Sequence, residues 1–90
     1  MRLGRTLLIS GRVQGVGFRY FTRDVATREG LTGWVRNLAD GRVQAYLEGE
    51  AESVTRVERL LRLGPGSGHV TDVAAVDEPA GGGYATFEIR

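Results

Sequence analysis

The order in which apolar patterning changes along the 90 residues limits the possible folds more than any other feature of the chain. A period of about 3.6 residues predicts an amphipathic helix, whereas strict alternation predicts a strand with one buried face. Asp40-Gly41 lies between two alternating segments and is a strong hairpin signal. The predicted elements are a strand at 5–13, a helix at 18–29, strands at 31–38 and 42–48, a helix at 52–63, and strands at 70–76 and 84–89.

This βαββαβ order with one extra strand predicts an α+β sandwich of the ferredoxin-like type. Two helices are expected on one face of a mainly antiparallel sheet of four to five strands. The right-handed crossover makes the first two strands run in the same direction, with the third beside them in the opposite sense. The carboxyl ends of the first two strands then lie at the same edge of the sheet. Residues 14–19 and Asn37 are therefore expected to be neighbours.

Length and composition are those of one domain covering residues 1–90. A chain of this size buries about two-thirds of its unfolded surface, which is enough for one modest core. The chain has no cysteine and one histidine, His69, which excludes disulfide scaffolds, thiol catalysis and multi-histidine metal sites. We therefore expect no metal and no cofactor.

No apolar run approaches the roughly 20 residues that span a bilayer, and the N-terminus lacks the apolar core of a secretory signal. We expect a cytoplasmic protein with no membrane partner. A small domain with no spare amphipathic helix is expected to be a monomer.

The basic residues are concentrated in the first part of the chain, where an anion site is expected. Residues 1–36 hold seven arginines and two acids, whereas residues 37–90 hold five arginines and nine acids. The loop at 14–19 joins the first strand to the first helix, and its glycines let a ligand approach the backbone closely. Its N–H groups and the helix dipole can hold an anion, the candidate donors being Gly15, Val16, Gly17, Phe18 and Arg19.

Two side chains at this edge are candidates for chemistry. Arg19 lies in the first helical turn, where a cation opposes the helix dipole. A guanidinium that binds an oxyanion bidentately explains that choice, and a solvated arginine beside an ordinary glycine turn is the alternative. Asn37 ends the second strand, where its amide can hold a water near a phosphoryl group or can instead form the following turn.

Residues 9–19, ISGRVQGVGFR, resemble the first signature of the acylphosphatase family. Residues 33–43, GWVRNLADGRV, continuing to Gly49, resemble the second, and both match without gaps. The resemblance implies a small sandwich that hydrolyses acyl phosphates to a carboxylate and inorganic phosphate without a metal. It also implies that Arg19 binds the phosphate and that Asn37 orients the attacking water.

Two other functions are alternatives. One is a non-catalytic anion-binding domain of the same shape, since domains similar to acylphosphatase also occur inside larger maturation enzymes that handle carbamoyl phosphate. The other is an RNA-binding module, which shares the element order and stacks bases on aromatic residues of its first and third strands. This chain has only Tyr46 there, and its sequence pI of 8.3 is lower than nucleic-acid binders usually show, so no nucleic-acid partner is expected.

Four further residues carry weaker expectations. Trp34 is expected in the core, the alternative being that it covers a surface near the site, and His69 is expected to be structural or solvated. Thr22 lies one turn after Arg19, where its hydroxyl can brace the loop, pack within the helix or bond back to the helix backbone. Tyr46 alternates out of phase with its apolar neighbours and is left without a role.

Overall fold

The computed structural model describes residues 1–90. In it, the segments with helical periodicity form helices and the alternating segments form strands. The strands are longer or shorter than predicted by a few residues at several ends. The elements are β1 (Arg2–Arg12), α1 (Phe18–Arg28), β2 (Thr32–Asn37), β3 (Val43–Glu50), α2 (Ala51–Leu63), β4 (His69–Glu78) and β5 (Phe87–Ile89).

The five strands form one sheet in the order β4-β1-β3-β2-β5. β3 is antiparallel to both β1 and β2, and β4 is antiparallel to β1. β5 is parallel to β2 and makes the only parallel pair. β1 and β2 therefore run in the same direction on either side of β3, and the predicted fold class is confirmed.

The core lies between the sheet and the two helices. α1 packs on β2 and β5, whereas α2 packs on β1, β3 and β4. Burying one large aliphatic side chain is worth about 1.5–3 kcal/mol, so this layer supplies most of the driving force for folding. Side chains with no exposed surface include Leu7, Ile9, Val35, Val43, Ala45, Leu47, Val54, Val57 and Leu61.

The prediction that the third strand ends at residue 48 is wrong. β3 continues to Glu50, because Gly49 and Glu50 pair with Leu3 and Arg2 at the start of β1. Gly49 packs closely on Leu31. A Cβ atom at this position would lie 2.6 Å from the end of the Leu31 side chain, so a larger residue requires that side chain to shift.

The expectation that Trp34 lies in the core is also wrong. Val35 faces the helices, and alternation turns Trp34 to the opposite face of the sheet. There its ring stacks on Tyr46 at 6.4 Å, and its indole N–H donates to the hydroxyl of Tyr84 at 3.2 Å. Tyr46 therefore packs in an aromatic cluster with Trp34 and Tyr84 on the outer face of the sheet.

Residues 79–86, here called the strap, cross this outer face because β4 and β5 lie at opposite edges of the sheet. Tyr84 packs on Tyr46 with ring centroids 5.5 Å apart, so the terminal strand begins at Phe87 and not at the predicted residue 84. The strap leaves Tyr46 only 6% exposed. The ring is therefore covered and is not available for stacking on a base.

Glu48, which is 1% exposed, anchors the strap through its carboxylate. It accepts hydrogen bonds from the Tyr46 hydroxyl at 2.6 Å and from the N–H groups of Gly81 and Gly82 at 3.0 and 2.9 Å. The Tyr46 hydrogen bond is the main reason that the pKa of Glu48 is lowered. Burial, followed by the contact with Glu48, raises the pKa of Tyr46 to about 12.

Replacing the anchor tests this arrangement. Glu48→Gln replaces one of the two acceptor oxygens by an N–H₂ group, which then faces a backbone N–H that needs an acceptor, and we expect the free energy of unfolding to fall by about 1–3 kcal/mol. The exposed carboxylate of Glu88 gives the matched control, and Glu88→Gln should change stability by less than about 0.5 kcal/mol. Urea unfolding measures both. Equal stabilities for the two variants contradict the anchoring role.

The same pair predicts how stability changes with pH. Because folding lowers the pKa of Glu48, its contribution is complete above the ordinary value of 4.5 and is lost as pH falls through the native pKa. Because folding raises the pKa of Tyr46, its contribution is complete below pH 10 and is lost between pH 10 and about 12. Glu48→Gln should weaken the acid dependence.

Candidate active site

The loop between β1 and α1, residues 13–17, is bent by two glycines with left-handed backbones. Gly15 has φ 75° and Gly17 has φ 78°. A Cβ atom at either position would meet nothing within 4 Å, so conformation and not space requires glycine. An L-residue in this region costs about 1–2 kcal/mol. The bend turns the backbone of the loop into the start of α1.

The start of α1 leaves its N–H groups free. Phe21 N–H donates to Gly17 O at 3.0 Å and makes the first helical hydrogen bond. No N–H of residues 15–20 donates to another protein atom, no side chain caps the helix, and its first turn has no acid. A cluster of free donors at the positive end of a helix dipole favours a bound anion.

A pocket of about 190 Å³ brings the two predicted side chains together. Arg19 and Asn37 both line it, although they come from α1 and from the end of β2. Val16 belongs to the same loop but is not among the lining residues, and its carbonyl instead accepts a hydrogen bond from the Ser67 hydroxyl at 2.9 Å. The pocket is lined by Val13, Gly15, Gly17, Phe18, Arg19, Tyr20 and Asn37.

Neither predicted side chain is engaged by the protein. Arg19 is half-buried and is absent from every ion pair of the structure. Asn37 is exposed, and the following turn is closed without it. Leu38 N–H donates to Arg42 O at 2.8 Å, and Asp40 Oδ1 accepts from Arg42 N–H at 3.1 Å. The turn-forming alternative for Asn37 is therefore unnecessary, because Asp40 performs that role.

Two further residues contribute to this site, although the sequence pattern indicated no role for either of them. The side-chain amide of Gln14 donates to Leu38 O at 2.7 Å and to Arg42 O at 2.9 Å. Tyr20 also lines the pocket, with 57% of its surface exposed. Position beside the glycine loop was the only available signal for either residue, because periodicity says nothing about contacts between distant loops.

Other candidates lie elsewhere. The hydroxyl of Thr22 donates to Phe18 O at 2.9 Å, so it bonds back to its own helix. His69 is exposed at the start of β4. No group of three or more His, Cys, Asp or Glu side chains could hold a metal ion. No helix has both the length and the apolar character needed to cross a bilayer.

These features define a class of small α+β sandwich with an anion-binding loop at the start of its first helix and a polar strand end beside it. The family model described as acylphosphatase matches residues 5–89. The chain is 52% identical over 82 residues to an acylphosphatase from Rubrobacter xylanophilus. This alignment covers 91% of this chain and 74% of that protein.

Solved structures with a similar fold also include an acylphosphatase. The acylphosphatase from Bacillus subtilis superposes with a TM-score of 0.95 at 35% identity and covers 98% of each chain. Full-length HypF in a phosphate- and nucleotide-bound form superposes with a TM-score of 0.88 at 25% identity, and the match spans 12% of that chain. The chain belongs to the acylphosphatase family, whose activity is the hydrolysis of acyl phosphates, and these similarities show an enzyme of that type.

The free N–H groups predict where an anion binds. Inorganic phosphate added to ¹⁵N-labelled protein should shift the amide resonances of residues 15–19 more than any others, because those donors have no protein partner. The N-terminal turn of α2, which contains Glu52, should shift less because this acid repels the anion. Larger shifts outside the β1–α1 loop contradict the site.

Proposed function

We propose that residues 1–90 form one catalytic domain that hydrolyses small acyl phosphates at the β1–α1 loop. Arg19 and the N–H groups of the loop hold the phosphoryl group, and Asn37 orients the attacking water. The observation that carries this proposal is the shared pocket, in which free backbone donors, Arg19 and Asn37 meet. The proposed backbone donors are Gly15, Val16, Gly17, Phe18 and Arg19.

Binding uses charge from three sources at one place. The N–H groups of the loop donate to phosphoryl oxygens, and the dipole of α1 adds positive potential. The Arg19 guanidinium donates two parallel hydrogen bonds, which a lysine cannot reproduce. The pocket walls keep part of these contacts away from solvent, which strengthens them.

The chemical step is an in-line displacement at phosphorus. Water held by the Asn37 amide attacks as the bond between phosphorus and the acyl oxygen breaks, which gives a carboxylate and inorganic phosphate. Negative charge spreads over the equatorial oxygens, which Arg19 and the loop donors stabilise in the proposed complex. Catalysis is then mainly positioning and electrostatic stabilisation.

The protons need no protein base or acid. No carboxylate and no histidine lines the pocket, so the attacking water transfers its proton to a phosphoryl oxygen of the substrate. The leaving carboxylate is a stable anion and departs without protonation. The same lining offers few hard oxygen donors, so we propose a reaction without a metal or cofactor.

We also propose that the protein acts as a cytoplasmic monomer, with inorganic phosphate as its product and no nucleic-acid or membrane partner. The burial of Tyr46 beneath the strap supports the absence of base stacking. The chain length and the single core support a monomer, which analytical ultracentrifugation would measure.

Variants of the two side chains test the proposed roles. Arg19→Lys should lose most turnover and weaken inhibition by phosphate, because one point charge replaces a two-pronged contact. Asn37→Ala should lower kcat by about 100-fold or more with little change in phosphate inhibition, since the amide acts on the water. Arg28→Lys, at the far end of α1, is the matched control and should keep normal kinetics.

The measurement is the release of acetate and phosphate from acetyl phosphate, with and without a chelator. Circular dichroism checks that each variant is folded. Near-normal kcat in folded Asn37→Ala rules out the water-orienting role. Activity that disappears with the chelator and returns with magnesium rules out the metal-free mechanism.

A further inference from the structure

The β1–α1 loop and the end of β2 form the two halves of the site. Backbone hydrogen bonds of the sheet do not fix the distance between them. Pairing between β1 and β3 ends at Ile9 with Val43, and residues beyond Ile9 in β1 pair only with β4. Pairing between β2 and β3 ends at Asn37 with Val43. β1 and β2 lie two strand spacings apart, about 9–10 Å, with β3 between them. Both ladders end at Val43, so no backbone hydrogen bonds of the sheet join the β1–α1 loop to the end of β2.

Gln14 bridges this gap. Its Nε2 atom lies 2.7 Å from Leu38 O and 2.9 Å from Arg42 O, across a sequence separation of 24 residues for the first contact. Both partners are carbonyl oxygens, so the contacting atom is the amide nitrogen and both of its hydrogens are donated. Leu38 follows Asn37 directly in the chain. A single side chain therefore connects the phosphate loop to the strand end that carries Asn37.

Resting on the proposed function, we propose that Gln14 is a positioning residue that sets the distance between the phosphoryl group and the Asn37-bound water. It does not contact the substrate. Gln14 lies at the start of the phosphate-binding loop, and its hydrogen-bond partner Leu38 directly follows Asn37. The side chain of Gln14 therefore fixes the position of the loop relative to Asn37. In-line attack is sensitive to such spacing, and a misplacement of about 1 Å can cost about 100-fold in rate.

Two substitutions remove the bridge in different ways. Gln14→Met keeps the length of the side chain but has no donor. Gln14→Asn keeps the amide but is one methylene shorter and cannot reach both carbonyls. Gln44→Met is the matched control, because Gln44 accepts a hydrogen bond from Arg36 on the other side of the hairpin.

Steady-state hydrolysis of acetyl phosphate and its inhibition by phosphate test the proposal. Both Gln14 variants should lower kcat by about 10- to 100-fold, because the water is displaced. Phosphate inhibition should change by less than about 3-fold, because the loop still binds the product. Gln44→Met should keep wild-type values. Unchanged kcat in both Gln14 variants overturns the proposal, as does a parallel loss of kcat and phosphate affinity.

A double-mutant cycle shows whether Gln14 acts through Asn37. In the Asn37→Ala background, Gln14→Met should lower kcat by less than about 3-fold, because no positioned water remains to be displaced. The same factor in both backgrounds means that the residues act independently and overturns the proposal. Failure of the proposed function is distinguishable, because Asn37→Ala alone would then retain normal kcat.

Discussion

β1 and β2 run in the same direction on either side of β3, and the geometry of the active site depends on this arrangement. Two strands of the same direction need a crossover, and α1 supplies it. The loop that enters α1 and the residue that ends β2 then emerge at one edge of the sheet. The helix start contributes N–H donors and Arg19, whereas the strand end contributes the Asn37 amide. Groups with complementary chemistry meet because the backbone path brings them there.

The loop has features that oppose stability in the absence of an anion. Two glycines are fixed in the left-handed region, and a cation stands at the positive end of a helix that has no acidic residue in its first turn. A charge of the wrong sign at a helix end costs about 0.3–1 kcal/mol. A bound phosphoryl group reverses the sign of that interaction. The core on the other side of α1, with Phe18 buried in it, supports the helix while its first turn is left open.

The element order and the proximity of Arg19 to Asn37 could be predicted from the sequence, because both follow from periodicity and from the handedness of a crossover. Contacts that depend on where a distant segment crosses the sheet could not be predicted. Glu48 alternates with the core residue Leu47 and faces away from the helices, and it is buried because the strap, which is distant in sequence, crosses it. The prediction that Trp34 lies in the core is wrong, because its alternation with Val35 favours the outer face of the sheet. The two carbonyl partners of Gln14 could not be predicted, because no residue near it in sequence indicates them.

A crystal structure of the protein with orthovanadate would test the central claim most directly. Vanadate adopts the trigonal-bipyramidal shape expected for phosphorus during in-line attack. The account predicts equatorial oxygens on the N–H groups of residues 15–19 and on the Arg19 guanidinium, with one axial oxygen within hydrogen-bond distance of the Asn37 amide. Vanadate bound away from this loop, or bound there with both axial oxygens out of reach of Asn37, would contradict it.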